Sequence, residues 1–230
     1  MSWRTIPLAM AARRLARATG ITKPLAWLLN GRGYEARYDA AFASALHHGD
    51  VVWDVGANVG HYTRSFANHV GSTGVVVALE PSPTNFARLR EATAACGNVL
   101  LMNIGLGSRD GRVRFEQGTD ELGATSRVTL AGDDGPEVDI RSAASLLAAR
   151  EIPPPNAIKI DVEGHEYEVV LGLGDLLAAP TLRIVGIEVH FGILQQRGEG
   201  DVPCRLETLL RRAGLAVHWP DVSHIIASRD

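Results

Sequence analysis

Residues 51–61 read Val51-Val52-Trp53-Asp54-Val55-Gly56-Ala57-Asn58-Val59-Gly60-His61. The run Val51-Val52-Trp53 is apolar at successive positions, which reads as a strand buried on both faces rather than one that alternates toward water. Gly56 to Gly60 is a tight glycine-containing turn, and residues 62–70 suit a helix. The motif repeats. Val75–Leu79 is a second apolar strand between Gly74 and Pro81, and Ser82 can cap a helix whose Phe86, Leu89 and Ala92 fall at helical spacing. Val99–Met102, Ala157–Ile160 and residues 182–189 continue the series. Strands of this kind separated by helices predict a parallel sheet covered on both faces.

Two regions depart from the alternation. From Asn103 to Ile140 the pattern loosens, with a turn at 107–111, the alternating Val113-Arg114-Phe115, and a Gly-, Thr- and Asp-rich stretch at 118–135 that reads as a long surface loop or lid. A helix is expected around 142–150, after which Pro153-Pro154-Pro155 leads into the fourth strand. Helices are expected at 164–171 and 202–213, the latter stopped by Gly214. Residues 215–219 and 223–228 are too close for anything but an antiparallel hairpin.

The chain of 230 residues carries 23 basic and 26 acidic side chains. That near balance argues against a dedicated nucleic-acid binder. No apolar run reaches the roughly 18 residues of a membrane span. Cys96 and Cys204 are the only cysteines, which fits a reducing, cytoplasmic setting without a disulfide framework. Only Lys23 and Lys159 are lysines; arginine supplies the other positive charges. No acid precedes Glu35, whereas Arg4, Arg13, Arg14, Arg17, Lys23 and Arg32 do. The division expected is an N-terminal helical arm or cap at 1–49 and one domain at 50–230. Residues 6–18 read as a basic amphipathic helix packed over the domain, the alternative being contact with anionic lipid or a phosphorylated substrate.

In open α/β sheets, ligands sit beyond the carboxyl ends of the strands. Asp54, Gly56, Asn58 and Gly60 stand there after the first strand, Glu80 after the second and Asn103 after the third. A carboxylate at Glu80 can accept from both hydroxyls of a ribose, and Asn103 can bind an adenine edge or orient its loop. A dinucleotide fingerprint would need glycines where Asn58 and His61 stand. Asp54 would repel a pyrophosphate and suits instead a cationic ligand, such as the sulfonium of S-adenosylmethionine.

With Glu80-Pro81-Ser82-Pro83, Asn103-Ile104-Gly105-Leu106-Gly107, residues 159–166 (Lys-Ile-Asp-Val-Glu-Gly-His-Glu) and Ile187-Glu188-Val189-His190, the segment 54–63 resembles the FkbM family of S-adenosylmethionine-dependent methyltransferases. The resemblance covers about residues 50–190. It implies a Rossmann-like class I methyltransferase fold: a seven-stranded, mostly parallel sheet with its last strand antiparallel. It adds His61, Pro81, Ser82 and Asp161 to the cofactor set, and implies methylation of a hydroxyl on a small natural product or saccharide.

An alcohol is a weak nucleophile, so a base should take its proton as it attacks. The candidates are Asp161, Glu163, His165, Glu188 and His190, with His190 preferred as base. Glu163 can instead serve the dipole of the helix it begins, and His165 can orient Asp161 or Glu163. Glu188 lies in an apolar strand and needs a partner, for which His190, two positions on, is expected. No metal is assigned; the alternative is a divalent cation on Asp161, Glu188 and His190. A nicotinamide-dependent oxidoreductase and a non-catalytic cofactor-binding module acting through the basic arm are the competing functions.

Overall fold

A computed structural model describes residues 36–116, 127–128 and 136–229. The expected arm helix at 6–18, and most of the expected loop at 118–135, lie outside the described residues. The elements relevant to the site are helix α1 (Ala36–Ser44), β1 (Val51–Val55), α2 (His61–Val70), β2 (Val75–Leu79), α3 (Pro83–Ala92) and β3 (Val99–Met102). They continue with β4 (Gly105–Leu106), β5 (Gly111–Glu116), β6 (Arg127–Val128), β7 (Glu137–Arg141), α4 (Ala143–Ala148), β8 (Ala157–Ile160) and α5 (Glu166–Leu173). A 3-10 turn (Gly174–Ala178), β9 (Ile184–Glu188), α6 (Phe191–Gln196), α7 (Val202–Arg212), β10 (Ala216–His218) and β11 (His224–Ser228) complete the order.

The main sheet has seven strands in the order β10-β11-β9-β8-β1-β2-β3. All neighbours from β9 through β3 are parallel, and β11 runs antiparallel to both β9 and β10. This is the seven-stranded Rossmann-like sheet with its C-terminal hairpin that the sequence leads one to expect.

Strand residues alternate between two cores. Trp53, Val55, Val77, Leu79, Ile158, Ile160, Val185 and Ile187 pack against apolar residues of α4, α5, α6 and α7. Val52, Val76, Ala157, Ile184 and Ile226 pack on the other face against Tyr38 and Phe42 of α1 and Phe66 and Val70 of α2. Helix α1 is therefore part of the domain's own core.

The segment that breaks the alternation forms a second, four-stranded sheet, β4-β7-β5-β6. The sequence reading made no strand of 137–141, yet Val138 and Ile140 are buried between Glu137, Asp139 and Arg141. Helix α4 is shorter than the expected 142–150; Ser142 caps it by accepting from the Ser145 amide at 3.2 Å.

On the α1 face the sheet carries polar groups in register. Asp54 lies opposite Lys159, and Glu188 opposite His224. His224 meets both Asp221 oxygens through Nδ1 at 2.9 Å and Glu188 through Nε2 at 3.6 Å, and its ring stacks on Tyr38. This corrects the partner expected for Glu188. Strand pairing sets it against His224, while His190 lies past the strand end.

Burial alone would lower the His224 pKa, but the bonds to Asp221 and Glu188 hold its proton up to about 9. A histidine raised in the folded state stabilises fully below its unfolded value of about 6.5, and that gain is lost as pH rises through the folded value. Denaturant unfolding of wild type and His224→Gln at pH 6, 8 and 10 should show the wild-type advantage shrinking by about 1–3 kcal/mol across that range.

Candidate active site

The turn after β1 is shaped by what lies beside it. Gly56 has φ +80°, and a Cβ there would come within 1.9 Å of the Asp161 carbonyl oxygen, so only glycine lets the ends of β1 and β8 lie this close. Gly60 starts α2 with φ +88°, its face against Leu89. The turn's amides are committed internally. Gly56 and Ala57 donate to the Leu79 carbonyl at 2.9 and 3.1 Å, Asn58 to Glu80 Oε2 at 2.8 Å, and Gly60 to the Ala57 carbonyl at 2.9 Å. A phosphate nest needs such amides free and convergent. These are not.

Glu80 follows β2, is 4% exposed, and accepts from the Ser82 amide through Oε1 at 2.8 Å as well as from Asn58. Burial pushes its carboxyl up to about 7, against the Ser82 and Asn58 amides that favour the anion. Ser82 itself caps α3, accepting from Asn85 N. The Asn103 side-chain amide donates to the carbonyls of Glu80 and Pro81 at 2.8 and 3.1 Å, stapling the β2 loop from outside.

Asp54 is fully buried below the turn. Its Oδ2 accepts from Thr63 Oγ1 at 2.6 Å, and its Oδ1 lies 3.6 Å from Lys159 Nζ. Lys159 also donates to Asp161 Oδ2 at 3.2 Å and sits over the Tyr62 ring. Burial would lower the Lys159 pKa, but Asp161 and Asp54 hold it above the ordinary value. Burial likewise opposes the Asp161 anion, which Lys159 and His190 keep below the usual carboxylate range. Asp54 thus meets a protein cation, and Asp161 alone of the pair reaches the cleft.

His190 caps α6 just beyond β9. Its Nδ1 bonds Glu166 Oε1 at 2.6 Å, and its Nε2 lies 3.4 Å from Glu163 Oε2 and 3.6 Å from Asp161 Oδ1. Burial disfavours the charged ring, yet Glu163 and Glu166 push it up to about 11. These carboxylates favour the protonated ring, at the place where the sequence leads one to expect a base. Glu163 holds a left-handed backbone, φ +49°, before Gly164.

A cleft of about 240 Å³ joins these strand ends. Gly56, Asn58, Glu80, Pro81, Asp161, Glu163, His165, Glu188 and His190 line it, facing apolar Leu79, Leu106 and Ile140. Asp54, Gly60, His61, Ser82 and Asn103 stand behind or beside that wall, not on it. Sequence reasoning missed three contributors. Asn85 of α3 is buried on the lining, and Ile140 arrives from the unforeseen β7; an alternating 137–141 was the signal for the latter. Glu166, an acid with no exposure in the first turn of an apolar helix, was the signal for the His190 partner.

Residues 54–226 match the family described as the methyltransferase FkbM domain. The hexuronic acid methyltransferase AglP of Haloferax volcanii is 35% identical over 145 residues, covering 63% of this chain and 57% of AglP. The chain thus spans little more than half the length of that relative. The 31-O-demethyl-FK506 methyltransferase FkbM of Streptomyces tacrolimicus is 30% identical over 186 residues, covering 63% of this chain and 67% of that protein. Among solved structures, Aeropyrum pernix fibrillarin with bound S-adenosyl-L-methionine shares the fold at TM-score 0.51 and 14% identity, over 84% of this chain and 75% of that one. The chain belongs to the methyltransferase FkbM domain family, and S-adenosylmethionine is its cofactor.

Proposed function

We propose that the chain transfers a methyl group from S-adenosylmethionine to an oxygen of a small saccharide or natural-product acceptor. One observation carries the reading. A buried ribose-type acceptor group, Glu80, and a polar cluster, Asp161–Glu163–His190, line one cleft. Glu80 has one amide on each oxygen, which leaves further lone pairs for two hydroxyls. Asn58 lines the same wall, and its buried Oδ1 has no hydrogen-bond partner, an acceptor fit for an ammonium or hydroxyl donor. Leu79, Leu106 and Ile140 offer apolar surface for a flat heterocycle. When bound, the cofactor would supply an electrophilic methyl on a sulfonium, which leaves as a neutral thioether and so needs no protonation.

The protein's part is alignment, exclusion of water and removal of the acceptor's proton. Asp161 Oδ2 is held by Lys159, which leaves Oδ1 toward His190 and the cleft; Glu163 Oε2 stands beside the same ring. These carboxylate oxygens are the proton acceptors of the reading, with His190 as the group that orders them. Glu188, tied to His224, forms the wall beside them. The two curated relatives named above act on a hexuronic acid and on 31-O-demethyl-FK506, both oxygen-rich small molecules. Acceptor choice is assigned to the basic arm before Glu35 and the loop at 112–135. The free thiols of Cys96 and Cys204 speak for a reducing, cytoplasmic setting.

Calorimetry with S-adenosylhomocysteine should give a binding constant about 10- to 100-fold weaker for Glu80→Gln, the value of one or two charged hydrogen bonds. Because ionised Glu80 is the binding form and its pKa is about 7, wild-type affinity should fall about tenfold from pH 8 to pH 6, and the variant's should not. Equal affinities would remove Glu80 from the cofactor site. His190→Ala should lower turnover about 100-fold or more while S-adenosylhomocysteine affinity stays within about threefold; undiminished turnover would exclude His190 from the reaction.

A further inference from the structure

We infer that Asp161, Glu163 and His190 bind one hard divalent cation, of the Mg²⁺ or Mn²⁺ kind, on the floor of the cleft. One donor atom from each of the three lies within 4.8 Å of the other two. The His190 Nε2 separations, 3.4 Å to Glu163 and 3.6 Å to Asp161, exceed a charge-assisted hydrogen bond of about 2.8 Å. They are near the spacing of adjacent donors around an ion with bonds of about 2.1–2.3 Å.

The outer groups are arranged as such a site requires. A histidine ligand ordinarily gives its second ring N–H to a carboxylate, which fixes the tautomer and aims the other nitrogen at the ion. Glu166 does this from a position with no solvent exposure, and its Oε1 is fixed in turn by the Gly164 amide at 2.8 Å. Glu166 Oε2 is buried and has no hydrogen-bond partner. Glu163 is held in a left-handed conformation that sets its carboxylate beside that of Asp161, two like charges side by side. Lys159 binds Asp161 through Oδ2 and is shared with Asp54, so on the cleft side the cation between the two carboxylates is the His190 ring.

Two carboxylates and one imidazole suit a hard to borderline divalent ion, and three protein donors leave coordination positions for water or an acceptor oxygen. The ion's role, holding that oxygen and lowering its pKa so that its proton passes more readily to a carboxylate of the cluster, rests on the methyl-transfer reading above. Binding of the ion does not. Glu188 is not part of the group whose donor atoms lie within 4.8 Å of one another.

Titration of the full chain with Mn²⁺ alone, followed by the electron paramagnetic resonance of free Mn²⁺, tests the site. One ion per chain is expected, bound at least about tenfold more weakly by Glu163→Gln and by Glu166→Gln, and within about threefold of wild type by Glu188→Gln. In wild type, Mn²⁺ should broaden the His190 ring signals in the nuclear magnetic resonance spectrum before those of His224, a readout independent of any variant's folding. No binding at millimolar Mn²⁺, or affinity unchanged in Glu163→Gln and Glu166→Gln, would overturn the site. Should the same wild-type protein bind S-adenosylhomocysteine while taking no Mn²⁺, the cation site falls and the methyltransferase reading stands.

Discussion

The buried ammonium of Lys159 joins the two parts of the molecule that make the site. It lies between Asp54 of β1 and Asp161 beyond β8, two elements separated by more than a hundred residues of chain. Two carboxylates so placed would repel each other, and an isolated ammonium so deeply buried would lose its proton. Here the two acids hold the ammonium protonated, and the ammonium keeps Asp161 ionised. Removing one member of such a set leaves uncompensated buried charge, at a cost of about 3–5 kcal/mol. The arrangement also divides labour between the acids. Asp54 is spent on structure, which frees Asp161 Oδ1, on the cleft side, for chemistry.

This electrostatic arrangement revises the simplest picture of how such a crevice receives a cationic ligand. A carboxylate before the glycine turn suggests direct contact with a sulfonium. Here that charge is neutralised from within the protein, and negative potential reaches the cleft from Glu80, Asp161, Glu163 and Glu188 instead. The glycine turn acts through shape. It brings β1 against β8 and β2 with its own amides satisfied, so it offers carbonyl and carboxylate surface rather than a cradle for phosphate.

Much of this was legible in the sequence because continuous apolar strands have few alternatives. Val51–Val55, Val75–Leu79 and Ala157–Ile160 could only be buried, and the spacing of 215–219 and 223–228 left only a hairpin. Acids and amides at strand ends could be named for the same reason: fold topology places strand ends together. Partners across strands were not legible. Whether Glu188 faces His190 or His224 depends on the register of β9 with β11, which local pattern does not contain. The second sheet was hidden because β4 and β6 are two residues long and β7 follows a Gly- and Asp-rich stretch, so turn signals outweighed the alternation of Val138 and Ile140. The placement of Asn103 and Asp54 turned on side-chain direction: both stand at the predicted strand ends, but Asp54 is buried against Thr63 while the exposed Asn103 donates to the Glu80 and Pro81 carbonyls.

A polar cleft fed by four strand ends, lined by both Glu80 and an acid–histidine cluster, is the arrangement on which everything else turns. A crystal structure of the full chain with S-adenosylhomocysteine tests it directly. Both ribose hydroxyls should lie within about 3 Å of the Glu80 carboxylate, with the thioether sulfur on the Asp161 side of the cleft. A nucleoside found away from Glu80, or with its sulfur turned from Asp161 and His190, would contradict it.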